Sequence, residues 1–401
     1  MFVFKIATVF LSVLFATNIA LAWQREAPEK YWNFGELSAA PECRQSPFAD
    51  SDWPGMKALL VSGRGPNGKV AEFFAYYATP AEKPPQCGYP GVLLVHGGGG
   101  TAYPHHVENW VEQGFAVLAV DWYNQRPLVA EIKGKTTDAI KSVPLEGGKR
   151  NDIVANVANM VLAHSLLRSF PEVNADRTVF VGLSWGSWYG AMVSAVDPRF
   201  KGVVEIYCGD LNRNRSGNTL VDGRFLHAAK CPMWWVVGTN DRNVTPMTSQ
   251  AGFDECANHW GHSIVPLLPH SHCGFRFESA MRMARHFACG DAALPRLGRI
   301  SMDGSRASAP IISFGKTTGS AYLAYTSDGA EATEWKRKWH TVPAAIENGR
   351  VVATVPAGAF QIVFSLYEDR QGVYKDLCGS SEIKQLAADA IQQAEKKETT
   401  K

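Results

Sequence analysis

The residues with the clearest chemical potential form the run Gly182-Leu-Ser-Trp-Gly186. This run ends an apolar segment that starts at Thr178, and it precedes a stretch rich in small residues. Such an order predicts a tight turn from a strand into a helix, with Ser184 at its tip. The N-terminus of that helix would favour the negative charge that develops during nucleophilic attack. Ser184 is therefore the candidate nucleophile, and a glycine-rich turn without chemistry is the alternative interpretation.

A serine hydroxyl needs a base that removes its proton, and the base needs an acid that orients it. Asp241 comes shortly after an apolar segment and is the candidate acid, with Asp210 as the alternative. Two histidines follow the next apolar segment. We favour His272 over His270 as the base, because His272 lies deeper in the loop and near a glycine. The predicted triad is Ser184, Asp241 and His272, in the chain order expected after a turn of this kind.

The run His96-Gly-Gly-Gly99 follows another continuous apolar segment and has the composition of a loop that brings backbone close to a ligand. Backbone N–H groups in such a loop can stabilise the oxyanion of an acyl-transfer intermediate. We expect one donor to be Gly97 or Gly98 and the other to be Trp185, directly after the nucleophile. His96 is predicted to brace the loop.

A metal site is the competing interpretation of the histidines. Cys256, His259 and His262 recur at steps of three residues, and His270, His272 and Cys273 lie close by in the sequence. Cysteine and histidine are common zinc ligands. On a helix, however, the second and third positions would be turned from the first by about 60° and 120°, so the three side chains would not converge on one point, and the thiols are also candidates for disulfides. We therefore expect no metal and no cofactor.

Apolar segments alternate with helical segments between about residues 57 and 290. The predicted strands are 57–62, 70–77, 92–95, 115–121, 178–184, 202–208, 232–238 and 263–268, and the predicted helices are 107–113, 152–170, 188–196, 248–260 and 279–287. Residues 122–150 break this rhythm and are interpreted as a loop insertion at the rim of a site. The alternation predicts an α/β fold with a doubly wound, mostly parallel sheet covered by helices on both faces.

The pattern changes after about residue 295. Short strand-like runs separated by turn residues predict a small antiparallel β-sandwich module. The predicted division of the chain is a signal peptide (1–22), a catalytic domain (23–294), this C-terminal module (295–375) and a polar helical tail (376–401).

The N-terminal segment is typical of a secretory signal peptide. Lys5 precedes the apolar run Ile6–Ala16, and Ala20-Leu-Ala22 fits a cleavage site after Ala22. An uncleaved anchor is the alternative, but the run is short for a membrane span and is followed by Asn18. We predict a secreted or periplasmic protein without a stable membrane anchor.

Composition narrows the partners. The 401 residues are 46% hydrophobic and 19% charged, with a net charge of +2, which is typical of a globular protein and gives no basic patch for nucleic acid. The eight cysteines, an even number in an exported chain, predict disulfides without fixing their pairing.

Taken together, these motifs resemble the α/β-hydrolase superfamily over roughly residues 55–290. Within it, the chain is similar to secreted enzymes of the dienelactone hydrolase, acetyl xylan esterase and prolyl-oligopeptidase-like groups. Dienelactone hydrolases proper use a cysteine nucleophile, and Ser184 departs from that pattern.

The resemblance implies a secreted serine carboxylesterase that removes short acyl groups from a small-molecule or carbohydrate ester. A serine peptidase would use the same machinery and is one alternative. A non-catalytic glycan-binding surface protein is the other.

Overall fold

The computed structural model describes residues 25–46, 55–123, 145, 147, 152–208, 220, 222–316 and 319–386. The predicted signal peptide, Asp210 and most of the predicted insertion therefore lie outside the described residues. The helices are α1 (Phe34–Leu37), α2 (Pro104–Val111), α3 (Ile153–Ser169), α4 (Trp185–Val196), α5 (Pro246–Glu255) and α6 (Glu278–Cys289). No helix within the described ranges is both long and apolar enough to cross a membrane.

Nine strands form the first sheet: β1 (Cys43–Gln45), β2 (Lys57–Arg64), β3 (Val70–Ala78), β4 (Tyr89–Val95), β5 (Ala116–Asp121), β6 (Val173–Leu183), β7 (Gly202–Ile206), β8 (Met233–Gly238) and β9 (His259–Val265). Their order is β1-β2-β3-β5-β4-β6-β7-β8-β9. The first three are antiparallel to their neighbours, and the pairs from β5 to β9 are parallel. Parallel strands carry their site residues at one edge, because their carboxyl ends all point the same way.

Helices cover both faces of this sheet, as the continuous apolar runs of the strands require. All seven residues of β4 are buried. One core layer contains apolar residues of α3, α4 and α5, and the other contains those of α2 and α6. The predicted doubly wound, mostly parallel α/β fold is confirmed.

Three of the helices begin at residues that are favourable at a helix N-terminus. Asp152 caps α3, since its carboxylate accepts a hydrogen bond from the Ala155 N–H at 3.0 Å. α2 and α5 both begin with a proline, which has no N–H to leave unpaired at a first turn.

The C-terminal module is a second, antiparallel sheet. Its strands are β10 (Arg296–Leu297), β11 (Ser301–Asp303), β12 (Arg306–Ser313), β13 (Ser320–Thr326), β14 (His340–Glu347), β15 (Arg350–Thr354), β16 (Gln361–Tyr367), β17 (Cys378–Ser380) and β18 (Lys384–Gln385). They form one hydrogen-bonded path, β10-β12-β15-β14-β13-β16-β17, rather than two separate sheets. The end strands β10 and β17 lie beside each other, so the sheet nearly closes.

The predicted helical tail is wrong for its described part. Residues Cys378–Ser380 and Lys384–Gln385 are strands that pair with β16, so the second sheet continues past residue 375. The polar composition indicated an exposed helix, but pairing with an existing strand satisfies the backbone of this segment instead. Residues 387–401 lie outside the described part of the chain.

The two sheets meet along a line that we call the β9–β17 seam, formed by residues 262–264 and 378–381. The Ser263 hydroxyl donates to the Cys378 carbonyl at 2.5 Å, and the Ile264 N–H donates to Ser380 Oγ at 2.9 Å. His262 Nε2 lies 2.8 Å from the Ser381 carbonyl oxygen. The module is thus bonded to the edge strand of the first sheet.

Candidate active site

Ser184 lies between β6 and α4 in a strained backbone conformation, with φ 56° and ψ −113°. The turn is closed tightly. A Cβ on Gly186 would lie 1.9 Å from the Val95 carbonyl oxygen, and one on Gly182 would lie 2.4 Å from that of Gly186. Both flanking glycines are therefore required, and the turn presents the partly exposed Ser184 side chain at the carboxyl edge of the sheet, as predicted.

Three side chains meet there in one hydrogen-bonded relay. His270 Nε2 lies 3.1 Å from Ser184 Oγ, and His270 Nδ1 lies 2.6 Å from Asp241 Oδ2. Asp241 is fully buried, and its other oxygen accepts from the N–H groups of Asn243 at 2.7 Å and Val244 at 2.9 Å. Because Asp241 accepts at Nδ1, that nitrogen carries the ring proton of the neutral imidazole. The Nε2 lone pair then faces the serine.

The preference for His272 is corrected to His270. His272 is exposed and begins a short 3₁₀ turn, His272–Arg276, in which Ser271 Oγ accepts from the Cys273 N–H. This turn carries His272 away from the relay, whereas His270 directly follows Pro269 at the sheet edge. The composition of the loop did not reveal where the 3₁₀ turn begins.

The predicted glycine loop packs against the strand-to-helix turn that carries Ser184. A Cβ on Gly97 would lie 3.2 Å from Ser184 Cβ, and one on Gly98 would lie 2.6 Å from Trp185 Cδ1. The Gly100 N–H donates to the Gly97 carbonyl at 3.1 Å, which closes the loop into a turn. Trp185 is the first residue of α4, so its N–H lies at a helix N-terminus. The structure thus brings Gly97, Gly98 and Trp185 together beside Ser184.

His96 connects this glycine loop to the end of β5. Its Nδ1 lies 2.8 Å from the Gly97 carbonyl oxygen, and its Nε2 lies 3.1 Å from Asp121 Oδ1. The Trp122 indole N–H donates to the His96 carbonyl at 2.7 Å, and its ring stacks on the imidazole at 5.2 Å. These contacts are those of a brace rather than of a reacting group.

Three indoles form an aromatic wall next to the loop. Trp122 and Trp185 lie 6.0 Å apart, and Trp185 and Trp188 lie 4.6 Å apart, between ring centroids. Trp122 and Trp188 are buried, whereas Trp185 is partly exposed. Trp185 is therefore the member of this wall that a bound molecule can contact.

Sequence reasoning missed Tyr207, which packs against His270. Tyr207 is fully buried with φ 59°, and its ring lies 4.6 Å from the His270 ring. Its hydroxyl donates to the Pro269 carbonyl at 3.1 Å and lies 3.3 Å from Ser271 Oγ, so it fixes the chain on both sides of His270. Burial raises the pKa of the Tyr207 phenol, which keeps it a neutral donor. Its position directly after β7, at the edge that carries the site, was the available signal.

The histidines considered for a metal site have other partners. His259 and His262 lie on β9 and not on a helix, and His259 Nε2 lies 3.0 Å from His262 Nδ1. Phe253 stacks on both rings, and burial lowers the pKa of His259 to about 2 and that of His262 to about 4. Among the described residues, no three histidine, cysteine or acidic side chains are grouped to hold a metal ion.

The predicted disulfides are not present. All eight cysteines lie in the described part of the chain, and each is a free thiol. Four of them are buried: Cys208, Cys231, Cys256 and Cys378. An even number of cysteines in an exported chain was the basis of the prediction, and it gives no information on distances between sulfurs.

Residues 73–262 match the dienelactone hydrolase family, a segment that includes the glycine loop, Ser184 and Asp241 but ends before His270. A search of curated proteins found no match.

Among solved structures, the chain is similar to two acetyl xylan esterases and to Est1E. The esterase from a Paenibacillus species is 16% identical over 65% of this chain and 95% of its own, with a TM-score of 0.47. That from a Thermoanaerobacterium species is 18% identical over 62% and 89%, with a TM-score of 0.41. Est1E from Butyrivibrio proteoclasticus, with bound ferulic acid, is 16% identical over 54% and 94%, with a TM-score of 0.40.

The sheet order and the strand-to-helix turn at Ser184 show the α/β-hydrolase fold, and the dienelactone hydrolase match over residues 73–262 agrees with it. The family match further indicates a hydrolase of the esterase type.

Proposed function

We propose that this chain is an exported serine carboxylesterase that hydrolyses short-acyl esters of carbohydrates or similar alcohols. The observation that carries the proposal is the continuous relay from Asp241 through His270 to Ser184, set at a strained strand-to-helix turn. Strain of this kind costs about 1–3 kcal/mol and persists only where the surroundings hold it, which is characteristic of functional sites.

In the first half of the reaction, His270 Nε2 takes the proton from Ser184 as Oγ attacks the ester carbonyl carbon. Asp241 stabilises the imidazolium that forms. The N–H groups of Trp185 and of Gly97 or Gly98 then bind the oxyanion of the tetrahedral intermediate. Loss of one such donor typically costs about 3 kcal/mol of transition-state stabilisation.

In the second half, the intermediate collapses as His270 returns the proton to the leaving alcohol. The acyl group remains on Ser184. A water molecule then gives its proton to His270 and attacks the acyl carbon, and the second collapse releases the carboxylic acid and restores the serine hydroxyl. Water is the only co-reactant that these steps consume.

The position of Trp185 supports a small acyl group. Its indole lies against Gly98, close enough that even a methyl group on that glycine would collide. This contact narrows the space beside the oxyanion position. The partly exposed indole face also offers a surface on which the ring of a sugar or a similar alcohol can stack.

The test uses mature protein, from residue 23 onward, with p-nitrophenyl acetate, acetylated sugars and a panel of peptide amides. We expect ester turnover in the wild type and a loss of roughly 10⁴-fold or more in Ser184→Ala at unchanged melting temperature. A folded Ser184→Ala variant with wild-type ester turnover would refute the proposal. Turnover of amides in preference to all esters would identify a peptidase instead.

A further inference from the structure

The C-terminal module contacts the loop that carries the proposed catalytic acid. The Asn240 side-chain amide donates two hydrogen bonds to module carbonyls, to Trp335 at 3.0 Å and to Arg337 at 2.9 Å. Asn240 directly precedes Asp241. A second contact lies a few residues on, where the Met247 N–H donates to Glu334 Oε1 at 3.3 Å. The loop is thus bonded to the module on both sides of Asp241.

The orientation of the Asn240 amide is fixed by its third partner. The Leu267 N–H donates to Thr239 Oγ1 at 2.8 Å, so the Thr239 hydroxyl is left to donate to Asn240 Oδ1 at 2.7 Å. The amide NH₂ must then face the two carbonyl oxygens of the module. Both amide hydrogens and the amide oxygen are used.

The same residues connect the acid loop to the loop of the base. The Asn240 N–H donates to the Leu268 carbonyl at 3.3 Å, two residues before His270. Together with the Leu267–Thr239 bond, this joins the ends of β8 and β9 just before Asp241 and His270. A displacement of Asn240 would therefore be transmitted to both members of the pair.

On the module side, the acceptors belong to a rigid segment. The Arg337 side chain is buried and donates to Gln361 Oε1 at 2.9 Å and to the Gly329 carbonyl at 3.1 Å. Its guanidinium also lies 5.1 Å from the centroid of the Phe360 ring. Gln361 is buried in β16, so the segment Glu334–Arg337 is held by the core of the module.

We propose that Asn240 is a positioning residue through which the C-terminal module holds Asp241 and His270 in register. The inference rests on the proposed serine-esterase function, since it assigns Asp241 and His270 their roles. It gives the module a part in turnover, because a donor that is misplaced by about 1 Å can cost two orders of magnitude in rate.

The test compares Asn240→Ala and Asn240→Asp with wild type in the full mature chain. Asn240→Asp keeps the shape but places a carboxylate oxygen against two carbonyls, so it should be at least as damaging as alanine. We expect kcat to fall by about 10- to 100-fold with KM changed less than about threefold. The acid limb of the pH–rate profile should also move to lower pH, because a displaced Asp241 stabilises the charged imidazole less. The groups that face His270 in this comparison are Asp241, Ser184 and Tyr207.

The matched control is Ser263→Ala. It removes one buried hydrogen bond between the same two parts of the chain, to the Cys378 carbonyl, but within the β9–β17 seam and away from both loops. It should lower the melting temperature while leaving kcat and the pH–rate profile at wild-type values. If Asn240→Ala behaves like Ser263→Ala, the amide has only a structural role and the inference is overturned.

A readout without turnover separates this inference from the proposed function. In the Ser184→Ala background, we follow the low-field NMR proton of His270 Nδ1 and the titration midpoint of its ring. Adding Asn240→Ala should weaken or broaden that proton signal and lower the midpoint. A wild type inactive on every ester, with this NMR change present, would refute the esterase but retain the positioning role. If the wild type hydrolyses esters but the NMR change is absent, the esterase function is retained and the positioning role of Asn240 is refuted.

Discussion

The backbone conformation of Ser184 is one that serine rarely adopts, and hydrogen bonds from the surrounding groups maintain it. Its N–H donates to the Ile206 carbonyl at 2.8 Å, and the hydroxyl of Ser187 lies within hydrogen-bond distance of the Gly182 and Ile206 carbonyls. These bonds tie the turn to β6 and β7. The strain at the nucleophile is therefore offset by backbone pairing in its two neighbouring strands.

At the residue scale, the sequence identified Ser184 and Asp241, which the structure brings together, but it favoured His272, whereas His270 is the histidine that contacts both. Ser184 and Asp241 each follow an apolar run that indicates a strand. Their position directly after a predicted strand therefore identified both as candidates. His270 and His272 follow the same strand two residues apart. Only the backbone between them, in which Ser271 starts a 3₁₀ turn, decides which ring reaches the relay. Such a turn depends on contacts with Tyr207 that have no local signature.

The two histidines therefore provide a direct test of the relay. We expect His270→Asn to lower kcat/KM for p-nitrophenyl acetate by roughly 10⁴-fold or more, because among the described residues His270 is the base within hydrogen-bond distance of Ser184 Oγ. His272→Asn should retain activity within about threefold, since His272 is exposed outside the relay. Equal losses in both variants would contradict the assignment of His270.

At the element scale, β9 carries the two buried histidines of the seam. His262 donates from Nε2 to the Ser381 carbonyl, so in the neutral ring Nδ1 accepts from His259 Nε2. Strand β9 was predicted four residues too late, at 263–268, because the polar His259 and His262 broke its apolar pattern. Their burial against Phe253 and the module is a tertiary effect that a local pattern does not report.

Burial of these neutral rings predicts a loss of stability in acid. The unfolded His262 takes up a proton as the pH falls below about 6.5, whereas burial lowers the pKa of the folded residue to about 4. Between these values the unfolded state binds more protons, so the free energy of unfolding falls by about 1.4 kcal/mol per pH unit.

Denaturant unfolding between pH 7 and pH 4 measures this effect. His262→Gln should show a shallower fall of the unfolding free energy with decreasing pH than wild type. The exposed His340 on β14 provides the control, and His340→Gln should keep the wild-type slope. The explanation fails if the two variants have the same slope.

At the scale of the whole molecule, the sequence predicted two parts of different architecture, and the structure has them. It did not predict that they share a core. Trp339 and Val363 of the module belong to the same apolar cluster as residues of α3 and α4. Nor did it predict the path of residues 376–386 back to β16, since strand pairing between distant segments leaves no periodic trace in a short polar stretch.

Thiol chemistry tests the molecule as a whole. Three cysteines are exposed (Cys43, Cys87 and Cys273), and burial raises the pKa of Cys256 and of Cys378 to about 12. We expect the exposed thiols of the native, unreduced protein to react readily with a disulfide reagent at pH 8, and the buried ones to be protected.

In denaturant without reductant, all eight thiols should react. A total below eight would show that cross-links form in the purified protein and would contradict the free thiols of the structure. The fully reduced, denatured protein is the control for the count.

The β9–β17 seam also affects whether the chain aggregates while it is being synthesised. β9 is the last strand of the first sheet, and residues 378–381 form hydrogen bonds along its outer edge. An uncovered sheet edge is a template for pairing between molecules. Until those residues leave the ribosome, the catalytic part carries an open edge. Chains interrupted before residue 378 should therefore associate with one another, so the last described strands protect solubility as well as shape.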